Sequence, residues 1–583
     1  MSLLITNNLD LWTSAILTKS TAGRGSNGKL EAYGIKKLRE LILELAVRGK
    51  LVPQDPNDEP VTELLRKTIS EKKRLVNENV LRDVKEPLYP NEPPDRDLPN
   101  GWVWTNLYEI GEIAPRNEAE DTEEASFVPM QLISEKYGVP VQHEMRVWKE
   151  IESGFTHFRE EDVVLAKITP CFQNGKSAVM RGLTNGFGAG TTELHVYRSI
   201  NSCTVPEYVL IYLKSPRFIG DGIPKMTGTA GQKRITRDYF AGNHFPLPPL
   251  AEQHRIVVKV DELMALCDQL EQQQTDSIEA HQTLVETLLG TLTNIATQEE
   301  LSGAWTRIAD HFDTLFTTEH SIDQLKQTIL QLAVMGKLVP QDPNDEPASV
   351  LLKKVAEQKE RLIRDGEIKR ERLLPKIRDD ELPFELPDSW SWARVWNVAK
   401  IITSGSRDWA KYYSEDGAIF VTMGNLSRGD YKLRMESIRF VRPPEDGEGS
   451  RTKLEENDLL ISITGDVGNL GLIPKDFGEA YINQHTCLLR FMPECKSRYF
   501  PELMRSSWSK YQFDAPQRGV KNSFRLSDVG EMIIPVPPLR EQHRIVVKVD
   551  ELMALCDALK ARLAQAQTTQ IHLADAIVEQ AVT

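Results

Sequence analysis

The feature that most constrains this chain is that it carries the same pieces twice. LAVRGKLVPQDPNDEP at 45–60 returns as LAVMGKLVPQDPNDEP at 332–347, 287 residues later, and EQHRIVVKVDELMALCD at 252–268 returns unchanged at 541–557, 289 residues later. A weaker pair, LPNGWVW at 98 and LPDSWSW at 386, aligns Trp102 and Trp104 with Trp390 and Trp392. Offsets near half of a 583-residue chain predict two similar structural units. The order of the pieces adds a second constraint. In mid-chain EQHRIV is followed by LAVMGKLVPQDP, whereas the other two copies lie near the two ends. Joining the ends would rebuild the central block, which predicts a circular arrangement about a pseudo-two-fold axis, one chain imitating an isologous dimer. A tandem duplication that does not close is the other arrangement this order allows.

Both repeated pieces have the spacing of long helices. Ile256, Val260, Leu263, Cys267 and Leu270 recur at intervals of four and three, and Ile545, Val549, Leu552, Cys556, Leu559 and Leu563 repeat that seam. Ile35, Leu38, Ile42 and Leu45 match Ile322, Leu325, Ile329 and Leu332, in helices that Gly49 and Gly336 can cap and the following prolines stop. VTELLRKTISEKKRL and ASVLLKKVAEQKERL form a further helix in each copy. Narrow apolar seams on otherwise polar helices suit helix-on-helix packing, Cys267 and Cys556 being small apolar fillers. A helix from about 251 to 290 would be on the order of 60 Å long at ~1.5 Å per residue.

Between the copies lie two unlike inserts, roughly 102–248 and 390–537. DVVLAKITP and TTELHVYR in the first, and AIFVTMGN, DLLISITG and TCLLRFMP in the second, are short β-rich runs bounded by Gly, Pro and Asn. The fold class expected is α+β: two mixed α/β globular domains separated by long antiparallel coiled-coil helices in a circular pseudo-two-fold arrangement. The expected segments are a helical region at 1–97, a domain at 98–250, a helical spacer at 251–385, a second domain at 386–538, and a closing helix at 539–583 that pairs with the N-terminal region. Paired Trp just inside each insert is expected to be core.

The formal charge of −14 argues against indiscriminate coating of nucleic acid, which rests on phosphate neutralisation. Local basic stretches exist nonetheless. Lys214–Arg237 carries six cations against Asp221, and Arg505–Arg525 carries five against Asp514. Either could be an ordinary solvated face; their pairing favours a shared role. The polar, glycine-bearing loops supply the candidate contacts: Gln173, Asn174 and Lys176; Lys225, Gln232, Lys233, Arg234 and Arg237; Ser406, Arg407 and Lys411; and Gln517, Arg518, Lys521, Asn522 and Arg525. Arg and Lys suit guanine acceptors and phosphates, Asn and Gln suit adenine, and Ser suits phosphate.

Catalytic patterns are missing. FQNGKSAV resembles the end of a phosphate-binding loop, but Pro170 stands where the first Gly is required. GFGAGTT at 186–192 leads into a strand rather than a helix, a poor dinucleotide site. No Asn-Pro-Pro-aromatic string occurs, and Asp162 and Lys167 lack the acidic-x-Lys spacing of a nuclease core. Six scattered cysteines lack C-x-x-C or zinc spacing, so neither disulfides nor a metal site is expected. With no apolar run long enough to span a bilayer and no secretory leader, the chain is expected in the cytoplasm.

These residues together resemble the specificity (S) subunits of type I restriction–modification systems, in their longer-chain branch. The resemblance covers nearly the whole length. It is carried by PLPPLAEQHRIV and PVPPLREQHRIV, by LPNGW and LPDSW, by the GKLVPQDPNDEP blocks, and by KITPCFQNGK and SGSRDWAKYYSEDGAIF. It implies that each insert reads one half of a split, asymmetric double-stranded DNA sequence while the helices set the gap. It implies as partners two methyltransferase (M) subunits, which flip and methylate adenine using S-adenosylmethionine, and restriction (R) subunits that hydrolyse ATP. S-adenosylmethionine, ATP and Mg then belong to those partners, with no cofactor in this chain. Two other classes compete: a structural coiled-coil adaptor whose inserts bind proteins, and a self-contained nuclease or methyltransferase.

Overall fold

The scaffold helices Tyr33–Val47 and Glu319–Val334 stop where glycine permits a reversal. Gly49 (φ 62°) and Gly336 (φ 70°) take the left-handed conformation. Lys50 N–H then donates to Leu45 O at 3.0 Å, and Lys337 N–H to Leu332 O at 2.9 Å, satisfying end carbonyls. A Cβ on either glycine would also strike a proline ring, 2.4 Å from Pro99 Cγ or 2.6 Å from Pro387 Cγ.

The computed structural model describes residues 5, 7–19, 29–82, 84–88, 97–295, 297–370, 374–407, 409–443, 449–515 and 523–582. The chain divides into two compact units, one of Met1–Ile278 with Gln565–Thr583, the other of Glu279–Ala564. Each long helix crosses that division: Leu250–Asn294 starts in the first unit and finishes in the second, and Leu539–Val582 does the reverse. The tail of the chain therefore belongs to the unit containing its head. Tyr33 Oη donates to Asp575 Oδ1 at 2.7 Å, Lys37 lies 3.8 Å from the same carboxylate, and Ala574 is buried in the core built on Trp12, Ile35 and Leu38. In the second unit Gln324 donates to Glu286 at 2.8 Å, and Val285, Leu289 and Leu292 join the core of Ile322, Leu325 and Ile329. Closure of the repeat is the arrangement present; an open tandem duplication would leave the tail with its own half.

Within each unit the scaffold helix runs antiparallel to the start of the long helix. Gln54 meets Glu252 while Arg39 meets Asp268 and Glu271; Gln341 meets Glu541 while Lys326 meets Asp557. The expected seam is what they bury: Ile256, Val260, Leu263 and Cys267 in one unit, Ile545, Val549 and Cys556 in the other, with Leu270, Leu552, Leu559 and Leu563 partly covered. Each aliphatic side chain so buried contributes about 1.5–3 kcal/mol.

Each insert is anchored by its own ends. Val103–Thr105 pairs antiparallel with Phe245–Leu247, and Ser391–Arg394 with Ile533–Val536, so first and last strands leave the scaffold side by side. One four-stranded sheet has the same order in both: Gly111–Ile113, Leu194–Ser199, Val163–Ala166, Ser177–Val179, and correspondingly Ala399–Ser404, Thr486–Phe491, Leu459–Ser462, Leu470–Leu472. It is held by a buried bidentate pair, Arg198 on Asp162 at 2.8 and 2.9 Å, or Arg490 on Asp458 at 2.7 and 2.8 Å. The second sheet shares only one strand pair. The parallel pair Glu124–Val128 with Phe187–Gly190 is central in the first unit, whereas Ala418–Val421 with Ala480–Ile482 lies at one side of the sheet in the second, Ala480–Ile482 being an edge strand.

Candidate nucleic-acid interface

The three repeated motifs, far apart in sequence, converge on one joint in each unit. Trp102 Nε1 donates to Glu252 Oε2 at 3.0 Å, Gln54 donates to the other carboxylate oxygen at 3.2 Å, and Arg255 grips Asp58 at 2.7 and 3.1 Å. The second unit repeats this with Trp390 on Glu541 at 3.0 Å, Gln341 on Glu541 at 2.6 Å, and Arg544 on Asp345 at 2.7 Å. Burial raises the Glu252 and Glu541 carboxyls, opposed by these donors. Trp102 and Trp390 are thus buried, as expected of core. Trp104 and Trp392 are half-buried, edge-on to His244 and tilted against Phe384.

From this joint each frame presents a cluster of loops. In the first unit the strand Val163–Ala166 runs into 167–176, which is stitched to 225–237. Thr169 N–H donates to Lys233 O at 2.9 Å, Ile235 N–H to Lys167 O at 2.8 Å, and Lys167 N–H to Glu193 O at 2.9 Å. In the second unit the strand Leu459–Ser462 runs into a segment bonded in the same way: Phe524 N–H to Ile463 O at 2.9 Å and Ile463 N–H to His485 O at 3.0 Å. Thr464 Oγ1 lies 2.7 Å from His485 Nδ1, and Gly405 N–H donates to Asn483 O at 3.1 Å, bringing in the 404–412 segment. In the first unit two loops picked separately in the sequence are therefore neighbours, and in the second the described residues Gly405 and Phe524 both connect to the 483–485 segment, the latter through Ile463.

The candidates differ in availability. Gln173, Asn174, Lys225, Gln232 and Lys233 are exposed, and Lys225 Nζ sits 5.1 Å from the Tyr239 ring centroid. Lys176 is half-buried and donates to Met130 O at 3.3 Å; Arg237 donates to Lys85 O at 3.2 Å. Arg234 spends three donors inside the protein, two on Glu193 at 2.8 and 2.9 Å and one on Gln232 O at 3.0 Å. It staples the hairpin, which leaves two of its five N–H groups uncommitted and fixes the guanidinium's direction through Glu193. In the second unit Arg407 and Lys411 are exposed, Ser406 is half-buried, and Arg525 is exposed at the start of helix Leu526–Glu531. Gln517, Arg518, Lys521 and Asn522 lie outside the described residues.

Two members of the basic stretches are withdrawn from the surface wholly or in large part. Lys214 is buried at 8% exposure, and Arg505 is largely enclosed with Nη1 on Glu502 Oε2 at 2.6 Å. Charge counting could not see this, because Lys214 ends and Arg505 follows a helix that tertiary packing buries almost all round. Missed in the sequence were Tyr413 and Arg439, an exposed aromatic with a guanidinium 5.4 Å from its ring, adjoining Lys411.

Among the described residues the loops bring together no catalytic constellation. Asp162 is committed to Arg198, and His195 is stacked on Phe240, its imidazole lowered to about 4 by burial and therefore neutral. Among the described residues no group of three His, Cys, Asp or Glu is placed to hold a metal ion, and no helix is long and apolar enough to cross a membrane.

Two equivalent scaffolds carrying unlike α/β modules, each with a polar, partly basic loop cluster, define a modular recognition protein. The comparisons name the class: residues 99–280 and 397–567 match the family model described as "Type I restriction modification DNA specificity domain". The chain is 46% identical over 589 aligned positions to the Type I restriction enzyme EcoAI specificity subunit of Escherichia coli, and 44% over 607 to the EcoEI specificity subunit of the same organism. Each alignment covers 99% of both chains. A solved structure described as the "structural basis underlying complex assembly and conformational transition of the type I R-M system" contains a chain of like fold, with a TM-score of 0.50 and 20% identity, covering 84% of this chain and 99% of that one. This chain belongs to the type I restriction–modification DNA specificity family, whose members are the non-catalytic DNA-recognition subunits of their systems.

Proposed function

We infer that the two inserts, 98–250 and 386–538, each read one half of a split, asymmetric duplex sequence, and that the long helices at 251–385 and 539–583, with the N-terminal region 1–97, fix the gap. The observation that carries this is the contrast between an invariant joint and central sheet on one hand and unlike edge strands and loops on the other. A reader of two different half-sites needs a common mount and different contact surfaces. Gln173, Asn174, Gln232 and Lys233 in the first unit, and Arg407, Lys411, Arg525 and the 517–522 residues in the second, are the proposed contacts, exposed polar groups suiting base edges and cations suiting phosphates.

The scaffold also offers one surface twice. His254, Val258 and Ala265 are exposed on the first long helix and His543, Val547 and Ala554 on the second, Val258 and Val547 each at 67% exposure. Core packing does not require identical residues at exposed positions; two copies of one partner do. Those partners are two methyltransferase subunits, joined by restriction subunits, with S-adenosylmethionine, ATP and Mg bound by the partners and the assembly at work in the cytoplasm. Methylome sequencing of a host carrying this chain with its partners is the test. Methylated adenines in two specified blocks at a fixed spacing are expected; a single continuous motif would refute the split reading.

A further inference from the structure

The buried lysine that closes helix Pro206–Lys214 touches the loop on which the first half-site reading depends. Lys214 Nζ donates to three backbone carbonyls: Ser134 O at 3.2 Å, Glu135 O at 3.0 Å and Gly175 O at 2.9 Å. These acceptors come from two loops, one between the strands Glu124–Val128 and Glu144–Val147, the other carrying Gln173 and Asn174. Lys176 adds a second link between the same loops through Met130 O. The first loop is itself tied to the long helix, by Tyr137 Oη on Asp261 at 2.9 Å and Lys136 3.7 Å from Glu271. A chain of contacts thus runs from scaffold helix to recognition loop with one ammonium at its centre.

We propose that Lys214 is a positioning residue for base recognition by the first unit, holding the 171–176 loop so that Gln173 and Asn174 keep the pose in which they read DNA. The proposal rests on the reading of that loop as a DNA contact. A side-chain amide discriminates bases only when its backbone is held to a fraction of an ångström; backbone bonds such as Asn174 N–H to Pro170 O and Lys176 N–H to Cys171 O, both 3.0 Å, close the turn internally, and Lys214 ties that turn through Gly175 O to the neighbouring loop. An ammonium has three donors, and here it meets three carbonyls.

At the matching place the second unit has different chemistry. Ser506 follows Arg505 as Ser215 follows Lys214, each serine capping the next short helix. Arg505 donates to Glu502 at 2.6 Å and to Gly429 O at 3.0 Å. Arginine stays charged throughout the accessible pH range. Lys214 bonds no carboxylate, and burial lowers its ammonium to about 7, opposed by the charge of Glu135. The other charged groups facing its cavity are paired: Lys36 with Glu31, Arg39 and Lys136 with Glu271, and Glu40 with Lys37 beside the cavity. Raising the pH through 7 therefore removes one donor from the first unit's clamp and none from the second's.

The test uses the full chain assembled with its methyltransferase partner, a duplex library with randomised positions, and sequencing of the retained duplexes at pH 6.5 and 8.5. Lys214→Met is expected to relax base preference about tenfold or more in one block only, the block also altered by Arg234→Gln. Lys214→Arg should keep both blocks at both pH values, while the unsubstituted chain loses part of that one block at pH 8.5. Intact preference in Lys214→Met, or equal loss in both blocks, overturns the positioning role. Amide exchange at Asn174–Lys176, faster in Lys214→Met than in Lys214→Arg, reads the clamp without DNA. If that difference appears while the unsubstituted assembly selects no blocks, it is the DNA reading that fails and not the clamp.

Discussion

Removing the carboxylate at the joint should loosen each unit by a similar, calculable amount. Glu252→Ala strips Trp102 Nε1 of its acceptor at a site where Trp102 is only 6% exposed, and Glu541→Ala does the same to Trp390, also 6% exposed. An unsatisfied buried donor costs about 1–3 kcal/mol. Gln54 is exposed and recovers water, so its lost bond adds little. The carboxylates are themselves strained by burial, which raises their proton affinity and returns part of the cost when they are removed. The net expectation is about 2 kcal/mol per joint, and less than half of that for Glu252→Gln, which keeps an acceptor. At a urea slope of about 2–3 kcal/mol per molar, the unit's midpoint falls by roughly 0.7–1 M. Indole N–H resonances, ten in all, follow the two joints separately during the titration. A shift below about 0.3 M, or a shift at Trp102 without its counterpart at Trp390 in the paired variant, would refute both the magnitude and the equivalence of the joints.

Arg198→Met leaves the buried Asp162 carboxylate without its partner and should cost about 3–5 kcal/mol. Burial already raises that carboxyl above 3.8, so the native state keeps its proton to higher pH than the unfolded chain does, and stability falls as pH rises through the native value. Losing Arg198 raises it further, so chemical denaturation should show a larger penalty at pH 8 than at pH 5; a pH-independent penalty contradicts the assignment. Truncation after Ala564 removes Ala574 from the first core and the partner of Tyr33. Hydrogen exchange should accelerate along Tyr33–Val47 and stay unchanged along Glu319–Val334, and size-exclusion with the methyltransferase partner should show assembly abolished. Lys233→Gln should reduce the slope of log affinity against log salt by about 0.9, for one lost phosphate contact. Arg234→Gln, which unstaples the hairpin from Glu193, should instead weaken sequence preference with a smaller change in slope.

How much of this was legible beforehand depends on the range of the interaction. The seam Ile256, Val260, Leu263, Cys267 is local: four- and three-residue spacing puts these side chains on one helix face whatever lies opposite, and a glycine after Val47 or Val334 can end a helix by its own dihedral freedom. Circular order was readable too, because it is a property of sequence arrangement and needs no distances. The loop clusters were only half legible. Composition marked Gln173, Lys233 and Arg407 as polar and exposed, but that 167–176 and 225–237 lie against one another follows from strand register, which is decided by pairs about sixty residues apart.

What the sequence by itself determined is therefore the duplication, its ring order, the helix seams and the presence of two unlike modules, all consequences of periodicity and repetition along the chain. Tertiary structure alone decided that Glu252, Trp102 and Gln54 form one joint, that Arg234 is spent on Glu193, and that Lys214 is a buried clamp and no surface cation. The physical reason is common to all three. A side chain's chemistry depends on which donors, acceptors and apolar surfaces the fold brings to it, and those neighbours come from elsewhere in the chain.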